Sequence, residues 1–310
     1  MNAPRFSRRY WLNLSSALLV MVVVGYFAYV YLGVSYFMAK GFTEPQRMPL
    51  CCKTPADEGL AYEDVEVTTQ DGVTIRGWYI PSQNRAAVIL IHSMAANRLG
   101  TMHLAVMFVK HGYGVLMIDL RVHGESGGEL LTFGGDEYLD VSAAVDYLQA
   151  RPDLDPERIG VMGLSLGASA AVLSGARDTR LAAVAADAPG ATVFKDWAQP
   201  ETFYDSLYVP FDHMFFFYLH RVDGVSDPLS ITDAVAQISP RPLLLIGGMS
   251  GGSTLEKRSI EQYFAAAREP KQKLILPNTP HISGLRTHPQ EYEAKVIEFF
   301  DMWLLSKIRP

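Results

Sequence analysis

The sequence predicts an α/β fold, with a mostly parallel central sheet, helices on both faces and one N-terminal transmembrane helix before it. Three observations support this prediction. Short apolar runs alternate with helical patterns along most of the chain, which is typical of strand–helix–strand units. Two of these runs, residues 86–91 and 114–118, contain no charged or amide side chain, as expected of strands buried on both faces. The first forty residues hold one long apolar segment.

Residues 11–39 carry no charge and exceed the roughly 20 apolar residues that a membrane-spanning helix needs. A cleaved signal peptide is the alternative, but a shorter apolar core and a small-x-small cleavage site are not evident. We therefore predict an uncleaved single-pass anchor in the cell membrane. Arg5, Arg8 and Arg9 precede the segment, and less net positive charge follows it. The positive-inside rule then places residues 1–10 in the cytoplasm and the main domain outside.

Residues 40–61 contain three prolines and no apolar period, and we interpret them as a linker. The two cysteines of the chain, Cys51 and Cys52, are adjacent within it. Because a bridge between neighbouring cysteines strains the peptide, we expect none here. A disulfide framework and a cysteine-based zinc site are excluded. The pair is interpreted as a linker feature, with lipidation as the weaker alternative.

The globular domain is predicted at residues 62–310 and opens with a β-hairpin, residues 63–69 and 73–80, around Asp71-Gly72. Strands are then predicted at residues 86–91, 114–118, 159–162, 181–186, 242–246 and 273–276, and helices at 95–111, 136–149, up to 176, 259–267 and 292–305. Residues 190–240 break this alternation and are rich in aromatic side chains. They are expected to form covering helices, or an apolar lid that could rest on the bilayer surface.

A serine lies between two glycines in the segment Gly163-Leu164-Ser165-Leu166-Gly167. Apolar β-type residues precede it and small, helix-compatible residues follow, which is the context of a nucleophile elbow. Glycines without Cβ atoms let the strand and the helix close around the serine. An ordinary serine in a glycine-rich turn is the alternative. We predict Ser165 as a nucleophile and the backbone N–H of Leu166 as an oxyanion-hole donor.

Three other segments accompany the elbow in the order that a known family shows. They are Asp71-Gly72 with residues 77–81, residues 90–98, which include His92-Ser93, and the sequence Asp-x-Arg-x-His-Gly-x-Ser from Asp119. Over residues 62–305 the chain resembles the α/β-hydrolase superfamily, and most of all its membrane-anchored bacterial branch of esterases and serine aminopeptidase-like proteins. The resemblance implies an α/β-hydrolase fold, the catalytic order serine, acid, histidine, and the N–H of Met94 as the second oxyanion donor.

Eight histidines compete for the role of base. His281 follows the strand at 273–276 by a short turn, in the loop where the family carries its catalytic histidine, and we predict it as the base. His288 is better interpreted as part of a helix start, and His92 and His123 as residues that shape loops. No histidine pair has convincing zinc spacing with a carboxylate, so neither a metal nor another cofactor is expected.

The acid is the point at which this sequence departs from the family. The usual aspartate would follow residues 243–246, but by offset Gly251 stands there, and no carboxylate appears before Glu256. Asp187, at the end of the strand at 181–186, is the other candidate, because some lipases of the superfamily carry the acid after that strand. A strand-end residue bonded to the local backbone is the alternative interpretation of Asp187. We predict Asp187 rather than Glu256, and a Ser–His dyad or an impaired site is the third alternative.

Together these residues predict a membrane-anchored serine hydrolase that cleaves esters, thioesters or amides of a small-molecule or lipid-like acyl substrate through an acyl-enzyme. A carboxylic ester hydrolase fits best, and a peptidase stays open. The alternative is a catalytically impaired binding or scaffold protein, motivated by the missing aspartate. Nucleic acid is not an expected partner, because the net charge is −6, the pI is about 5.8 and no basic tract follows residue 10.

Overall fold

An eight-stranded sheet runs through the globular part of the chain. The computed structural model describes residues 7–197, 200, 202–221, 229–249 and 255–306. The strands are β1 (Glu63–Thr68), β2 (Thr74–Ile80), β3 (Ala87–Ile91), β4 (Gly114–Ile118), β5 (Ile159–Leu164), β6 (Ala183–Asp187), β7 (Leu243–Gly248) and β8 (Lys271–Leu276). Their order is β1-β2-β4-β3-β5-β6-β7-β8, with β2 antiparallel to both of its neighbours and all the other pairs parallel.

Helices cover both faces of this sheet. In chain order the described helices are α1 (Arg8–Thr43), α2 (Met102–Lys110), α3 (Glu137–Gln149), α4 (Leu166–Arg177), α5 (Phe203–Leu219), α6 (Ile231–Ile238), α7 (Leu255–Ala266), α8 (Gly284–Thr287) and α9 (Pro289–Phe300), of which α1 precedes the sheet. One buried apolar cluster joins the sheet to α3, α4, α6 and α7, and a second joins it to α2 and α9. The predicted α/β fold with helices on both faces is confirmed.

The strand order reverses at β3, which lies between β4 and β5. In open α/β sheets, ligands bind in the crevice beyond the carboxyl ends of the strands at such a switch point. The loops after β3, β5, β7 and β8 all leave from that edge, since these strands are parallel. The topology therefore brings the ends of distant segments to one place.

The predicted helix at 95–111 is shorter than expected. Residues after β3 form a loop and a short 3-10 turn, Arg98–Thr101, and α2 begins only at Met102. The Arg98 N–H and guanidinium both donate to the buried carboxylate of Asp119, at 2.6 and 3.0 Å. This pairing holds the loop against the end of β4, and it replaces the first turns of the predicted helix.

Helix α1 is the one described helix that is long and apolar enough to cross a membrane. It contains a π-helical turn, Tyr29–Val34, and continues to Thr43, beyond the predicted end at residue 39. None of its first 21 residues, Arg8–Ala28, is buried. The following segment is not a free tether, because Arg47 donates to the carbonyl oxygens of Ser126 and Gly128.

The expectation that Cys51 and Cys52 stay unbridged is wrong. The structure pairs them in a disulfide between sequence neighbours. Cys52 has a positive φ of 76°, a left-handed conformation that bends the backbone locally at the pair. The exclusion of a disulfide framework is unaffected, since no further cysteine exists in the chain.

The turn between β5 and α4 brings the backbone of β5, the start of α4 and the end of β3 into close contact. Ser165 has φ 54° and ψ −113°, a strained conformation for a residue with a side chain. A Cβ atom on Gly163 would lie 1.9 Å from the carbonyl oxygen of Gly167. A Cβ atom on Gly167 would lie 2.5 Å from the carbonyl oxygens of Ile91 and His92. Only glycine therefore fits at the two positions that flank the serine.

Gly167→Ala should destabilise the protein, because its Cβ would meet backbone oxygens that cannot rotate away. Overpacking costs about 1–3 kcal/mol, which corresponds to a fall in Tm of about 2–12 °C in a domain of this size. Gly100→Ala is the matched control, since its Cβ would lie 3.6 Å from the nearest atom, in Ala96. Thermal unfolding of the full chain in detergent measures both variants, and equal Tm values would contradict the steric argument.

Candidate active site

Ser165 and His281 lie within hydrogen-bonding distance although they are far apart in the sequence. Ser165 stands on the turn after β5, and His281 lies in the loop that follows β8. The distance from His281 Nε2 to Ser165 Oγ is 2.8 Å. The His281 side chain is 53% exposed, so the pair opens to solvent on one side. The parallel sheet thus brings together the two residues that the sequence predicts as nucleophile and base.

Glu256 holds the other nitrogen of the same imidazole ring. Its Oε2 lies 2.6 Å from His281 Nδ1, and its Oε1 accepts the backbone N–H of Gly248 at the end of β7. Glu256 is in the first turn of α7, and its side chain therefore reaches back to the end of the strand before that helix. The hydrogen bonds run without a break from Ser165 through His281 to Glu256.

Two glycines make room for this carboxylate. A Cβ atom on Gly247 would lie 2.7 Å from the side chain of Ile260 on α7, and one on Gly248 would lie 2.4 Å from the carbonyl oxygen of Thr279. Side chains at these positions would push α7 and the loop after β8 away from β7. The Gly247-Gly248 pair before the first downstream carboxylate is a sequence signal that favours Glu256, and the choice of Asp187 overlooked it.

The choice of Asp187 as the partner of His281 is wrong in this structure. The Asp187 carboxylate is buried and accepts a hydrogen bond of 2.7 Å from the hydroxyl of Tyr292 on α9. Its backbone oxygen accepts the N–H of Ser165 at 2.9 Å. Asp187 is the last residue of β6, beside the elbow. Its backbone oxygen holds the Ser165 N–H, while its side chain points into the packed core. Gly251, the position expected for the family's aspartate, lies outside the described residues.

The charges around His281 favour its protonated form. The hydrogen bond to Glu256 raises the pKa of His281, the charges of Glu256 and Asp187 act in the same direction, and burial opposes them. When Nδ1–H donates to Glu256, Nε2 is left to accept the Ser165 hydroxyl proton. The arrangement therefore both orients the ring and stabilises the imidazolium that proton transfer creates.

Two backbone N–H groups are placed near the serine. Leu166 is the first residue of α4, so its N–H has no acceptor within the helix. Met94 lines the same cavity as Ser165 and Leu166, and its N–H has no acceptor among the residues that the structure describes. These are the two donors expected from the sequence. Their role as oxyanion donors stays a prediction.

Two other histidines, His92 and His288, form hydrogen bonds that stabilise the loop and the helix start in which they lie. His92 is buried, its Nδ1 lies 2.8 Å from the Ser93 oxygen, and its Nε2 accepts the N–H of Leu120 at 3.1 Å. Burial lowers the pKa of His92 to about 3, so the ring is neutral and holds the loop. His288 contacts the hydroxyl of Thr279 at 3.0 Å at the start of α9. These surroundings agree with the loop and helix-start roles expected from the sequence.

A mostly apolar cavity of about 410 Å³ adjoins Ser165. Helix α5 covers it, as expected for the segment 190–240, and α1 also contributes to its wall. The lining side chains are Met38, Phe42, Met94, Phe133, Leu166, Ser169, Trp197, Phe211, Asp212, Phe215, Phe216 and Leu219. Asp212 is the single charged residue in this set, and burial raises its pKa, which favours the neutral acid. No group of three potential metal ligands is found in the described part of the chain.

Known proteins with similar sequences and structures include hydrolases. The sequence profile of the X-Pro dipeptidyl-peptidase family (S15 family) matches residues 60–207. YfhR of Salmonella typhimurium, an uncharacterized protein, is 27% identical over 267 residues, which cover 82% of this chain and 85% of YfhR. The uncharacterized protein Rv2307c of Mycobacterium tuberculosis is 30% identical over 226 residues, 71% of this chain and 73% of the relative. The solved structure of the Pyrococcus furiosus esterase Pf2001 is similar with a TM-score of 0.68 and 26% identity, covering 84% of this chain and 99% of Pf2001.

Asp187→Asn should stabilise the protein at neutral pH, because Asn keeps an acceptor for Tyr292 without a buried charge. Burial raises the pKa of Asp187 to about 6 from an ordinary 3.8. The folded wild type therefore binds more protons than the unfolded chain, and its stability falls as the pH rises from about 4 to 6. The Tm advantage of Asp187→Asn should be largest above pH 6 and shrink towards pH 4. A gap that is the same at every pH, or one that also appears in the exposed control Glu129→Gln, would contradict this.

Proposed function

This chain belongs to the α/β-hydrolase superfamily and is a hydrolase, and we propose that it is a membrane-anchored serine hydrolase that cleaves acyl esters through an acyl-enzyme. The observation that carries the proposal is the hydrogen-bonded series Ser165–His281–Glu256, with distances of 2.8 and 2.6 Å. The likeness to the esterase Pf2001 over nearly all of that protein supports an ester as the substrate. Thioesters and amides would react by the same chemistry.

In the proposed first step, Ser165 Oγ attacks the carbonyl carbon of the bound ester. His281 Nε2 takes the hydroxyl proton as the new C–O bond forms. The carbonyl oxygen becomes an oxyanion and accepts hydrogen bonds from the N–H groups of Leu166 and Met94. When the tetrahedral intermediate collapses, the alcohol leaves with the proton from His281, and the acyl group stays on Ser165.

Water completes the proposed cycle. It attacks the acyl carbon while Nε2 takes one of its protons, and the carboxylic acid leaves as Ser165 regains its proton. Glu256 accepts the hydrogen bond from Nδ1–H and holds the ring in the tautomer that both steps need. The exposed edge of His281 gives water direct access to the acyl carbon.

Glu256 weakens the case for an impaired binding or scaffold protein. That alternative depended on the absence of an aspartate after β7. A carboxylate from the next helix occupies the corresponding place against His281, with its second oxygen fixed by the Gly248 N–H. The match to the S15 peptidase family keeps an amide substrate open. The apolar lining of the cavity favours an acyl chain over a polar peptide.

We place the active domain outside the cytoplasm, with α1 as the anchor. Arg8 and Arg9 begin α1, and the next charged residue is Lys40. The positive-inside rule supports a cytoplasmic N-terminus. Residues 1–6, which include Arg5, lie outside the described part of the chain.

Ser165→Ala should abolish labelling by a fluorophosphonate probe and lower ester turnover by at least about 10⁴-fold, because the attacking oxygen is lost. Ser174→Ala is the matched control, since Ser174 lies on the same helix and its buried hydroxyl has no partner among the described residues. In-gel fluorescence and hydrolysis of a 4-nitrophenyl ester measure the two effects. Labelling that persists in Ser165→Ala would refute the assigned nucleophile.

Glu256→Gln should lower kcat by about 10²–10⁴-fold, because Gln cannot stabilise the imidazolium. The acid limb of the kcat/KM profile reports the pKa of His281, and it should move to lower pH when the carboxylate that raises this pKa is removed. Asp187→Asn should cost much less, and Glu261→Gln, an exposed acid on the same helix, should match wild type. A larger loss in Asp187→Asn than in Glu256→Gln would overturn the assignment of the acid.

A further inference from the structure

The membrane helix forms part of the wall of the active-site cavity. Met38 and Phe42 of α1 line the same cavity as Ser165. The Phe42 ring packs against Phe215 of α5 and Phe133, with ring centroids 5.3 and 5.8 Å apart. A helix that served only as a tether would not need to reach the reacting serine. Its involvement links the site to the bilayer.

Helices α1 and α5 pack side by side and run in the same direction. The hydroxyl of Tyr31 donates to the Leu207 oxygen, and that of Ser35 donates to the Phe211 oxygen, each at 3.3 Å. The residues of α1 buried in this contact, Ser35, Ala39 and Thr43, are small and spaced by four. Small residues at this spacing let helices in membranes approach closely. Helices α1 and α5 therefore pack through small residues, as helices in membranes do, and α5 belongs to the hydrolase domain.

In the proposed anchor this contact crosses the boundary between the hydrocarbon and the outer headgroups of the bilayer. The uncharged run from Trp11 to Ala39 spans about 44 Å at 1.5 Å per residue, which is the thickness of a bilayer with its polar regions. Met38 precedes the first following charge, Lys40, by two residues. With a hydrocarbon core of about 30 Å, each polar layer is about 7 Å deep, so in the proposed anchor the outer layer holds residues 35–39. The cavity wall that α1 supplies at Met38 therefore lies within this layer, on the water side of the lipid ester groups.

The start of α5 exposes three apolar side chains beside α1, together with Asp205 and Ser206. Phe203, Leu207 and Tyr208 are 75%, 48% and 65% exposed. Because α5 runs parallel to α1, these residues lie at the level of the apolar part of α1. The helix start satisfies its own polar groups, since Thr202 and Asp205 form a capping box. Such an end can enter the membrane interface without leaving bare N–H groups in it.

From these contacts, and resting on the proposed function, we propose that the substrate is a long-chain acyl ester lipid of the same membrane. The lipid enters sideways from the bilayer along α1 and α5. Its acyl chain occupies the apolar cavity, and its ester carbonyl reaches Ser165. Met38 is then a residue that determines acyl-chain length.

The test uses the full chain reconstituted in phosphatidylcholine vesicles. The substrates are 4-methylumbelliferyl palmitate carried in the bilayer and water-soluble 4-methylumbelliferyl acetate. Met38→Trp fills the cavity, and Phe37→Trp adds the same ring at the neighbouring position, whose side chain is 69% exposed. We expect Met38→Trp to lower the palmitate-to-acetate ratio of kcat/KM by tenfold or more, and Phe37→Trp to leave this ratio unchanged. Palmitate in separate, enzyme-free vesicles should be hydrolysed at least tenfold more slowly than palmitate in the enzyme's own bilayer.

Equal rates with the two vesicle arrangements would overturn entry from the bilayer. An unchanged ratio in Met38→Trp, or the same fall in Phe37→Trp, would overturn the role of α1 in the cavity. Either result can occur while acetate is still hydrolysed in a Ser165-dependent way, in which case the proposed function survives. Loss of acetate hydrolysis in the wild type would instead count against the proposed function itself.

Discussion

The close approach of three backbone segments at the elbow positions Ser165 and the backbone N–H groups beside it, and the rest of the site is arranged around them. The helix after β5 crosses the end of β3 so tightly that Gly167 faces the carbonyl oxygens of Ile91 and His92. This crossing raises Ser165 above the sheet and leaves the Leu166 N–H without a helical acceptor. The loop after β3, which carries Met94, is held in place by the buried Arg98–Asp119 pair. The proposed nucleophile and oxyanion donors are thus fixed by backbone packing.

The acid in this chain reaches the histidine by a route that differs from the family's usual one. A residue from the first turn of α7 replaces the expected aspartate after β7. The longer Glu side chain reaches back over Gly247 and Gly248, and the Gly248 N–H fixes one of its oxygens. The same hydrogen-bonded geometry at the imidazole is obtained from a different position in the sequence. In the proposed mechanism this carboxylate orients His281, while buried Asp187 and Tyr292 support the elbow from the core side.

Helix α1, the proposed anchor, and the hydrolase domain share one apolar surface. Helix α1 exposes its first 21 residues and then buries a stripe of small residues against α5. Both helices line the cavity beside Ser165. The proposed anchoring, acyl-ester chemistry and lipid substrate therefore converge on the same pair of helices. A hydrophobic substrate that is already in the bilayer would not have to cross water to reach the serine.

The fold and much of the local structure could be predicted from the amino-acid order alone. Alternating apolar runs predicted the strands and helices because burial patterns follow local periodicity. The hairpin around Asp71-Gly72, the strand Gly114–Ile118 and the glycines of the elbow were all recognisable locally. His281 was predicted from its place after the last strand, where the family resemblance implies the catalytic histidine. Resemblance to the family supplied the order of these pieces.

Which carboxylate meets His281, and what α1 contacts, became clear only from the folded chain. Asp187 and Glu256 both follow strands in the sequence. The Gly247-Gly248 pair is a local hint of space before Glu256, but only packing decides which side chain turns into the core and which turns along the sheet edge. The same holds for Met38 and Phe37, adjacent apolar residues of which Met38 lines the cavity while Phe37 is 69% exposed. Such choices depend on the packing of segments that are distant in the chain, and periodicity and spacing carry no information about that packing.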